Sequence, residues 1–192
     1  QPAPGGVSSN LNLWLKADAG ITGSTPITVW SNQSSNTVSN TVSGNPALTT
    51  AGINYDNVVT FDGSGDYFTT NLSINESVMP DVTIISVYTP SNSESGGVWG
   101  EDNGSYDRFI LDNPSHNEAV SYGTERVQNL NNLFVTNTPV ITTVVYDEDV
   151  TNGSSAYANG TQEANFTSNF GPESSNNLQI GAIGQNNNTF NG

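Results

Sequence analysis

The chain has 192 residues, of which 33% are hydrophobic and 11% are charged, and its 18 acidic and 3 basic residues give a formal net charge of −15. This charge repels nucleic-acid phosphate, so we do not expect a nucleic acid as partner. Cysteine is absent, which excludes disulfides and Cys-ligated metals. No run of about 18 apolar residues occurs, so no membrane-spanning segment is predicted.

The order of segments predicts an arm or linker over residues 1–9, rich in Pro, Gly and Ser, followed by one domain over 10–192. Leucines alternate with polar residues over 11–16, which predicts a half-buried strand. The Asn, Ser and Thr tract over 31–46 predicts a long loop, and 72–80 is expected to hold the only helical turn. Further strands, separated by turn-forming residues, are predicted over 27–30, 47–53, 58–61, 67–69, 82–89, 98–100, 108–111, 118–122, 124–129, 133–135, 140–146, 155–158, 165–170, 178–182 and 189–190.

The chain contains Phe61-Asp62-Gly63 followed, after two residues, by Asp66-Tyr67. This pattern resembles the opening signature of laminin-G-like domains, which belong to the concanavalin A-like lectin superfamily. The front of the chain is similar to domains of large secreted and cell-surface proteins of Bacteroidota, including gliding and adhesion proteins. The resemblance implies an all-β fold, a two-sheet antiparallel jelly-roll sandwich, in a secreted or surface protein. Its later motifs are residues 82–88, 140–146, 155–161 and 178–182.

The end of the chain differs from that family. Residues 190–192 stand where related domains begin the strand that closes the sandwich. The resemblance therefore implies that the closing strand is lacking here, and that the rest of a longer polypeptide fills its place or a partner such as secretion machinery holds it. The alternative is that residues 11–16 occupy the closing position.

Catalytic chemistry has little support in the residue types. The single histidine, His116, lies in a polar loop, and a nucleophilic cysteine is absent. Lectin-like sandwiches that hydrolyse glucans carry Glu-x-Asp-x-x-Glu on one strand, and that motif does not occur. Glu101, Asp102 and Asp107 are the nearest cluster of carboxylates, and their Gly-containing segment predicts a turn and not a rigid catalytic pair.

Calcium is the cofactor that the sequence suggests. Asp62, Ser64 and Asp66 alternate in a Gly-rich turn, where three oxygens could converge on a hard cation. The alternative is that the two aspartates accept hydrogen bonds from backbone N–H groups of the turn. The acidic run over 147–149 is a weaker candidate for the same ion.

A candidate glycan-binding group surrounds one tryptophan. Trp99 supplies a ring for stacking on a sugar, while Glu101, Asp102 and Asn103 supply hydrogen-bonding groups, with Tyr106 nearby. The alternative places Trp99 in the core, while Trp14 and Trp30 are expected in the core or on the sheet faces.

Three functions follow from these features. The first is a non-catalytic extracellular module for adhesion or glycan recognition, with a glycan or cell-surface ligand as partner. The second is a structural spacer in a long adhesin, which needs no site. The third is a polysaccharide-active enzyme, a glucanase or lyase, which would need convergent carboxylates or Tyr, His and Arg side chains.

Overall fold

The computed structural model describes residues 3–92, 96–102, 107–113, 118–122, 125–168, 176–184 and 188–192. The fold is all-β, as a chain rich in Asn, Ser, Thr and Gly predicts, and one short 3₁₀ helix, Pro4–Gly6, precedes the strands. Among the described residues the strands are β1 (Ile21–Gly23), β2 (Ile27–Trp30), β3 (Asn40–Ser43), β4 (Ala47–Ile53), β5 (Asp56–Thr60), β6 (Tyr67–Thr70), β7 (Val82–Tyr88), β8 (Gly96–Asp102), β9 (Asp107–Asp112), β10 (Ala119–Tyr122), β11 (Glu125–Val127), β12 (Val140–Tyr146), β13 (Ser154–Ala158), β14 (Thr161–Phe166) and β15 (Gln179–Ile180).

Most of these strands lie in two antiparallel sheets. Within the described part of the chain, the large sheet has the order β11-β10-β9-β8-β15-β6-β3 and the small sheet has the order β14-β13-β12-β7. Two separate hairpins pair β1 with β2 and β4 with β5. The arrangement is consistent with a β-sandwich.

The hydrophobic core lies between the large and the small sheet, because both turn alternate side chains towards it. In β12 this period of two is plain: Val140, Thr142, Val144 and Tyr146 are buried, while Ile141 is exposed. The large sheet contributes Phe68, Val98, Trp99, Ile110 and Val120 to the core, and the small sheet contributes Tyr88, Val140, Val144, Tyr146, Ala156, Ala158 and Phe166.

The turn between β13 and β14 is the two-residue hairpin that its sequence predicts. Asn159 and Gly160 have φ angles of +49° and +81°. A type I′ turn needs positive φ at both central residues, and Asn followed by Gly meets that need at low cost. The Asn-Gly sequence therefore accounts for this hairpin.

The strand predicted over 11–16 is wrong. Lys16 forms only an isolated bridge with Ala19, and the segment binds the 32–36 loop instead of a sheet. The Trp14 N–H donates to Asn32 Oδ1 at 2.9 Å, and the Gln33 N–H donates to the Trp14 carbonyl at 2.8 Å. Side-chain amides of the loop satisfy the backbone here, so alternation of leucines does not produce sheet pairing.

The helical turn expected over 72–80 is present as a single turn, in which the Met79 N–H donates to the Asn75 carbonyl at 2.7 Å with the spacing of an α-helical hydrogen bond. Other local expectations need correction. No strand forms over 133–135, which follows a turn that the Leu133 N–H closes by donating to the Leu130 carbonyl at 3.0 Å. Residues 189–190 lie in a segment that forms only isolated bridges.

The segment 188–192 closes one end of the core. The Phe190 ring packs edge-on against Phe61 and Tyr88, with ring centroids 6.2 and 5.6 Å away. Gly181 makes room for this packing: its φ is +83°, and a Cβ there would lie 2.4 Å from Phe61 Cε1. Any side chain at position 181 would collide with the Phe61 ring.

Candidate functional site: a buried cluster of charged residues

The candidate site begins with a cross-strand pair in the large sheet. Glu101 on β8 lies opposite Arg108 on β9 in the antiparallel register. Both side chains are buried, with exposed fractions of 0% and 1%. The structure thus places Glu101 and Asp102 at the end of a strand, and this corrects the turn that the sequence predicts for them.

Arg108 connects several parts of the chain. Its Nη1 donates to the carbonyls of Ile74, at 3.0 Å, and Met79. Its Nη2 donates to the Pro80 carbonyl at 2.9 Å and to Glu148 Oε2 at 3.1 Å. The planar guanidinium carries five N–H donors in a fixed fork, whereas a lysine ammonium has three donors on one atom. Arg108 therefore fastens the 72–80 connection to the core.

Two further groups flank the guanidinium. Glu76 Oε1 lies 3.8 Å from Arg108 Nε, in a buried ion pair. The Tyr146 ring faces Arg108, with the guanidinium carbon 4.5 Å from the ring centroid, and its hydroxyl donates to the Ser121 carbonyl at 2.7 Å. Burial raises the pKa of the Tyr146 hydroxyl. Tyr146 therefore acts here as a neutral ring and hydrogen-bond donor.

Glu101 binds the same connection from the other side. Its Oε2 accepts a hydrogen bond from the Ile74 N–H at 2.6 Å, and its Oε1 accepts one from the Ser73 hydroxyl at 2.9 Å. Burial raises the pKa of Glu101 to about 7, although these two hydrogen bonds act in the opposite direction. The Glu76 charge also raises it, while Arg108 lowers it.

Glu148 completes the cluster. Burial raises its pKa, and the Arg108 charge partly offsets that effect. Three buried glutamates thus share one arginine, so the cluster carries excess negative charge when all of them are ionised. We refer to Arg108, Glu76, Glu101 and Glu148 as the buried charged cluster.

The chemistry open to the buried charged cluster is limited by its contacts. Glu101 and Arg108 bind backbone groups of the 72–80 connection, and a substrate would have to displace that connection to reach them. General acid–base catalysis needs a group within hydrogen-bond distance of the substrate. As placed, the cluster acts as a scaffold.

The predicted calcium residues lie in the turn between β5 and β6. Asp66 is 3% exposed, and its Oδ1 accepts from the Asn45 N–H at 2.6 Å while its Oδ2 accepts from the Asp62 N–H at 3.2 Å. Asp62 Oδ1 in turn accepts from the Ser64 N–H at 2.7 Å. These contacts are those of the alternative interpretation, in which both carboxylates bind backbone N–H groups. Calcium at this turn stays a prediction.

The predicted glycan-binding group is only partly described. Trp99 packs in the core with 2% of its surface exposed, and Asp102 is 8% exposed. With Glu101 also buried, these three residues offer no ring face or carboxylate to a ligand in this conformation. Asn103 and Tyr106 lie outside the described residues, as does His116. The group as a set therefore stays a prediction.

The acidic run over 147–149 divides between two roles. Glu148 belongs to the buried charged cluster, while the backbone N–H of Asp147 donates a hydrogen bond to Ser154 Oγ at 3.0 Å. Within the described ranges, no group of three or more His, Cys, Asp or Glu side chains is placed to hold a metal ion. The same ranges contain no helix that is long and apolar enough to cross a bilayer.

An exposed apolar stripe on the small sheet was not predicted from the sequence. Val87 on β7 lies directly opposite Ile141 on β12, and Ile85 is the next outward residue on β7. Their exposed fractions are 57%, 50% and 64%. The composition of β7 could have revealed it. A strand with apolar residues at both odd and even positions has apolar side chains on both faces, and in a two-sheet fold only one of these faces packs against the core. We refer to Ile85, Val87 and Ile141 as the apolar stripe.

Comparison with known proteins supports the all-β fold and does not identify a family or a function. A solved structure shares this fold. It is the crystal structure of an HCR/D mutant, with a TM-score of 0.55 and 15% sequence identity over 85% of this chain and 43% of that chain. The chain thus spans less than half the length of that protein. No family model matches the sequence, and the comparison with curated proteins gives no match.

Proposed function

We propose that this chain is a non-catalytic recognition domain of a larger secreted or cell-surface protein, serving adhesion or the binding of a glycan. In this proposal the two sheets form a jelly-roll sandwich of the concanavalin A-like, laminin-G-like kind. Calcium at Asp62, Ser64 and Asp66 belongs to the same proposal as a structural ion.

The proposal is based on the contacts of the buried charged cluster, whose polar groups bind other parts of this chain. Arg108 and the three glutamates of this cluster are all buried, so in this conformation none of the three carboxyl groups is open to a substrate. Their polar atoms hold the 72–80 connection in place and bind each other. Because these side chains stabilise the fold, the domain is suited to present a rigid binding surface and not to catalyse a reaction.

The apolar stripe supports recognition over a spacer role. Contiguous exposed apolar residues mark interaction sites more often than inert surface. A spacer in a long adhesin needs no such surface. Charged or hydroxyl-bearing side chains in place of Ile85 and Val87 would make the domain more soluble.

A glycan array tests the proposal, with the protein applied in calcium and again in a chelator. Binding to a defined set of glycans supports recognition, and loss of that binding in chelator supports a role for calcium. The matched variant is Asp62→Asn, which keeps a side-chain acceptor for the Ser64 N–H and removes the charge. Two results together would favour the spacer: no glycan binding on the array in either condition, and no change in cell adhesion when residues of the apolar stripe are substituted.

A further inference from the structure

The small sheet has an outer face, on the side away from the core. Residues paired across antiparallel strands direct their side chains to the same face. The outer face therefore consists of the odd-numbered residues of β7 and β12, followed by Ser155 and Tyr157 on β13 and by Gln162 and Asn165 on β14. On the β7 side it contains the apolar stripe, in which all three side chains are at least half exposed.

Charge is nearly absent from the sheet that carries this face. Among the residues of β7, β12, β13 and β14 only Glu163 is charged, and its Oε1 accepts a hydrogen bond from Asn132 Nδ2 at 2.9 Å. The whole chain has a formal net charge of −15, so two copies in general repel each other. The outer face is a surface at which a second copy can approach against little local repulsion.

The two ends of the outer face differ in charge. Asp81 precedes β7 and Asp147 follows β12, and the antiparallel pairing of these strands brings the two aspartates to the same end. At the opposite end, residues 137–139 and the turn at 159–160 carry no charge. A second acidic chain can therefore lie on this face only if it keeps its own carboxylates away from the first end.

One symmetry operation meets that condition. A two-fold axis that lies in the interface, perpendicular to the strands, places β7 over β7 of the second copy and reverses the strand direction. The acidic end of each copy then lies over the uncharged end of the other. If the axis passes between Ile85 and Val87, each of these side chains meets the other one from the second copy, so apolar surface covers apolar surface. A two-fold axis along the strands would instead bring the two acidic ends together.

The size of the outer face limits how tightly two copies can bind. Its four strands and the seven residues of β12 span about 19 by 23 Å, at about 4.8 Å per strand and about 3.3 Å per residue. Two such faces packed together would bury about 900 Å² in total, whereas stable interfaces bury about 1,200–2,000 Å². The face therefore fits a weak and reversible dimer better than a permanent one.

We propose that the outer face binds a second copy of this chain, and that the two small sheets stack face to face about a two-fold axis perpendicular to their strands. Burial of the apolar stripe drives the association, and the uncharged polar side chains of β13 and β14 complete the contact. A basic partner would instead bind at the acidic end, and salt would weaken that contact, whereas salt strengthens a contact between two acidic copies. The association goes beyond the recognition function proposed above and needs no glycan, so a negative glycan array leaves it unaffected.

Sedimentation equilibrium of the 192-residue protein tests the proposal. The apparent mass should rise with protein concentration from 20.2 kDa towards twice that value, and about 0.5 M NaCl should increase the dimer fraction because it screens the repulsion between the copies. A mass that stays at 20.2 kDa up to about 1 mM protein would overturn the proposal and leave the face to a partner of another chemistry. Association that salt weakens would also overturn it, since it would depend on attraction between opposite charges.

Substitutions then locate the contact. Ile85→Glu places a carboxylate on the outer face of both copies, and it should abolish dimerisation at concentrations where the wild type is half associated. Val29→Glu is the matched control: Val29 is 42% exposed on β2, outside the small sheet, so this variant adds the same charge and should associate as the wild type does. Ile85→Thr adds no charge and keeps a β-branched side chain suited to a strand, and it should weaken dimerisation about tenfold. Equal association of the wild type and both Ile85 variants would place the contact elsewhere and overturn the proposal.

Discussion

Glu101 Oε2 accepts a hydrogen bond from the backbone N–H of Ile74 at 2.6 Å, across 27 positions of sequence. Neither residue is accessible to solvent, since their exposed fractions are 0% and 2%. A carboxylate that the sequence offers as a ligand-binding group is therefore an acceptor for the backbone of a long connection. The stability of that connection, and of the end of the core beneath it, depends on this contact.

Removing the Glu101 side chain should destabilise the protein. Glu101→Ala leaves the Ile74 N–H and the Ser73 hydroxyl buried without their acceptor, which should lower the free energy of unfolding by about 2–3 kcal/mol. Glu101→Gln keeps an acceptor for Ile74 and supplies a donor for Ser73, so its loss should be less than about 1 kcal/mol. Urea unfolding measures both. Equal losses for the two variants would contradict the role of the hydrogen bonds.

Arg108 should be the most sensitive charged position. Arg108→Met removes the bonds to three carbonyls and leaves Glu76 and Glu148 buried without their counter-charge, which should lower the free energy of unfolding by about 3–5 kcal/mol. Arg126→Met is the matched control, because that arginine is exposed on β11, and it should change stability by less than about 0.5 kcal/mol. Thermal and urea unfolding provide the comparison. A small effect at Arg108 would show that the buried charged cluster is not a scaffold.

Stability should fall as the pH rises from 4.5 to about 7. Burial raises the pKa of Glu101 from 4.5 to about 7, so the folded state binds this proton more tightly than the unfolded state does. Its contribution is fully present below pH 4.5 and is lost as the pH rises through about 7. Glu118 acts in the same direction, since burial first and the nearby Asp112 and Glu163 charges second raise its pKa to about 7.

Two controls separate the buried groups from general repulsion between the many surface carboxylates. About 0.5 M salt should screen the surface charges and leave most of the effect of the buried groups. Glu101→Gln should make the fall with pH shallower. A free energy of unfolding that is flat or rises across this window would contradict the prediction.

The fold class followed from the sequence where side-chain pattern and local turn chemistry agree. β7 and β12 are apolar and β-branched, and the Asn159-Gly160 turn needs no tertiary contact to define it. The segment over 11–16 has the same alternation, but the Asn32 side chain binds its backbone and no strand forms. β3 (Asn40–Ser43) lies in a tract that predicts a loop, and its pairing with β6 decides its structure.

The candidate site was harder to predict because it depends on topology. Arg108 stands two residues before Ile110 on β9, so a period of two places it on the face that packs in the core, and a core-facing arginine requires carboxylate partners. That signal is present in the sequence. The partners Glu76 and Glu148 lie far along the chain, 40 positions away in the case of Glu148, and only the sheet order brings them together.

Calcium should raise the melting temperature if the proposed ion binds at the turn between β5 and β6. Asp62→Asn should abolish the increase, and magnesium at the same ionic strength should not reproduce it, because Mg²⁺ requires a tighter octahedral site. Asp66→Ala should destabilise the protein with or without calcium, since Asn45 and Asp62 lose the acceptor for their N–H groups. A melting temperature unchanged by millimolar calcium would contradict a specific site.

The most direct test of a non-catalytic function is the release of reducing ends from polysaccharides. The wild-type protein and Glu101→Gln would be incubated in parallel with β-glucans and with any glycan that the array identifies. Because Glu101 and Arg108 are bound to the 72–80 connection, we expect no product from either protein and equal glycan binding by both. Product formed by the wild type and abolished in Glu101→Gln would show that the buried charged cluster is an active site, and would contradict a non-catalytic function.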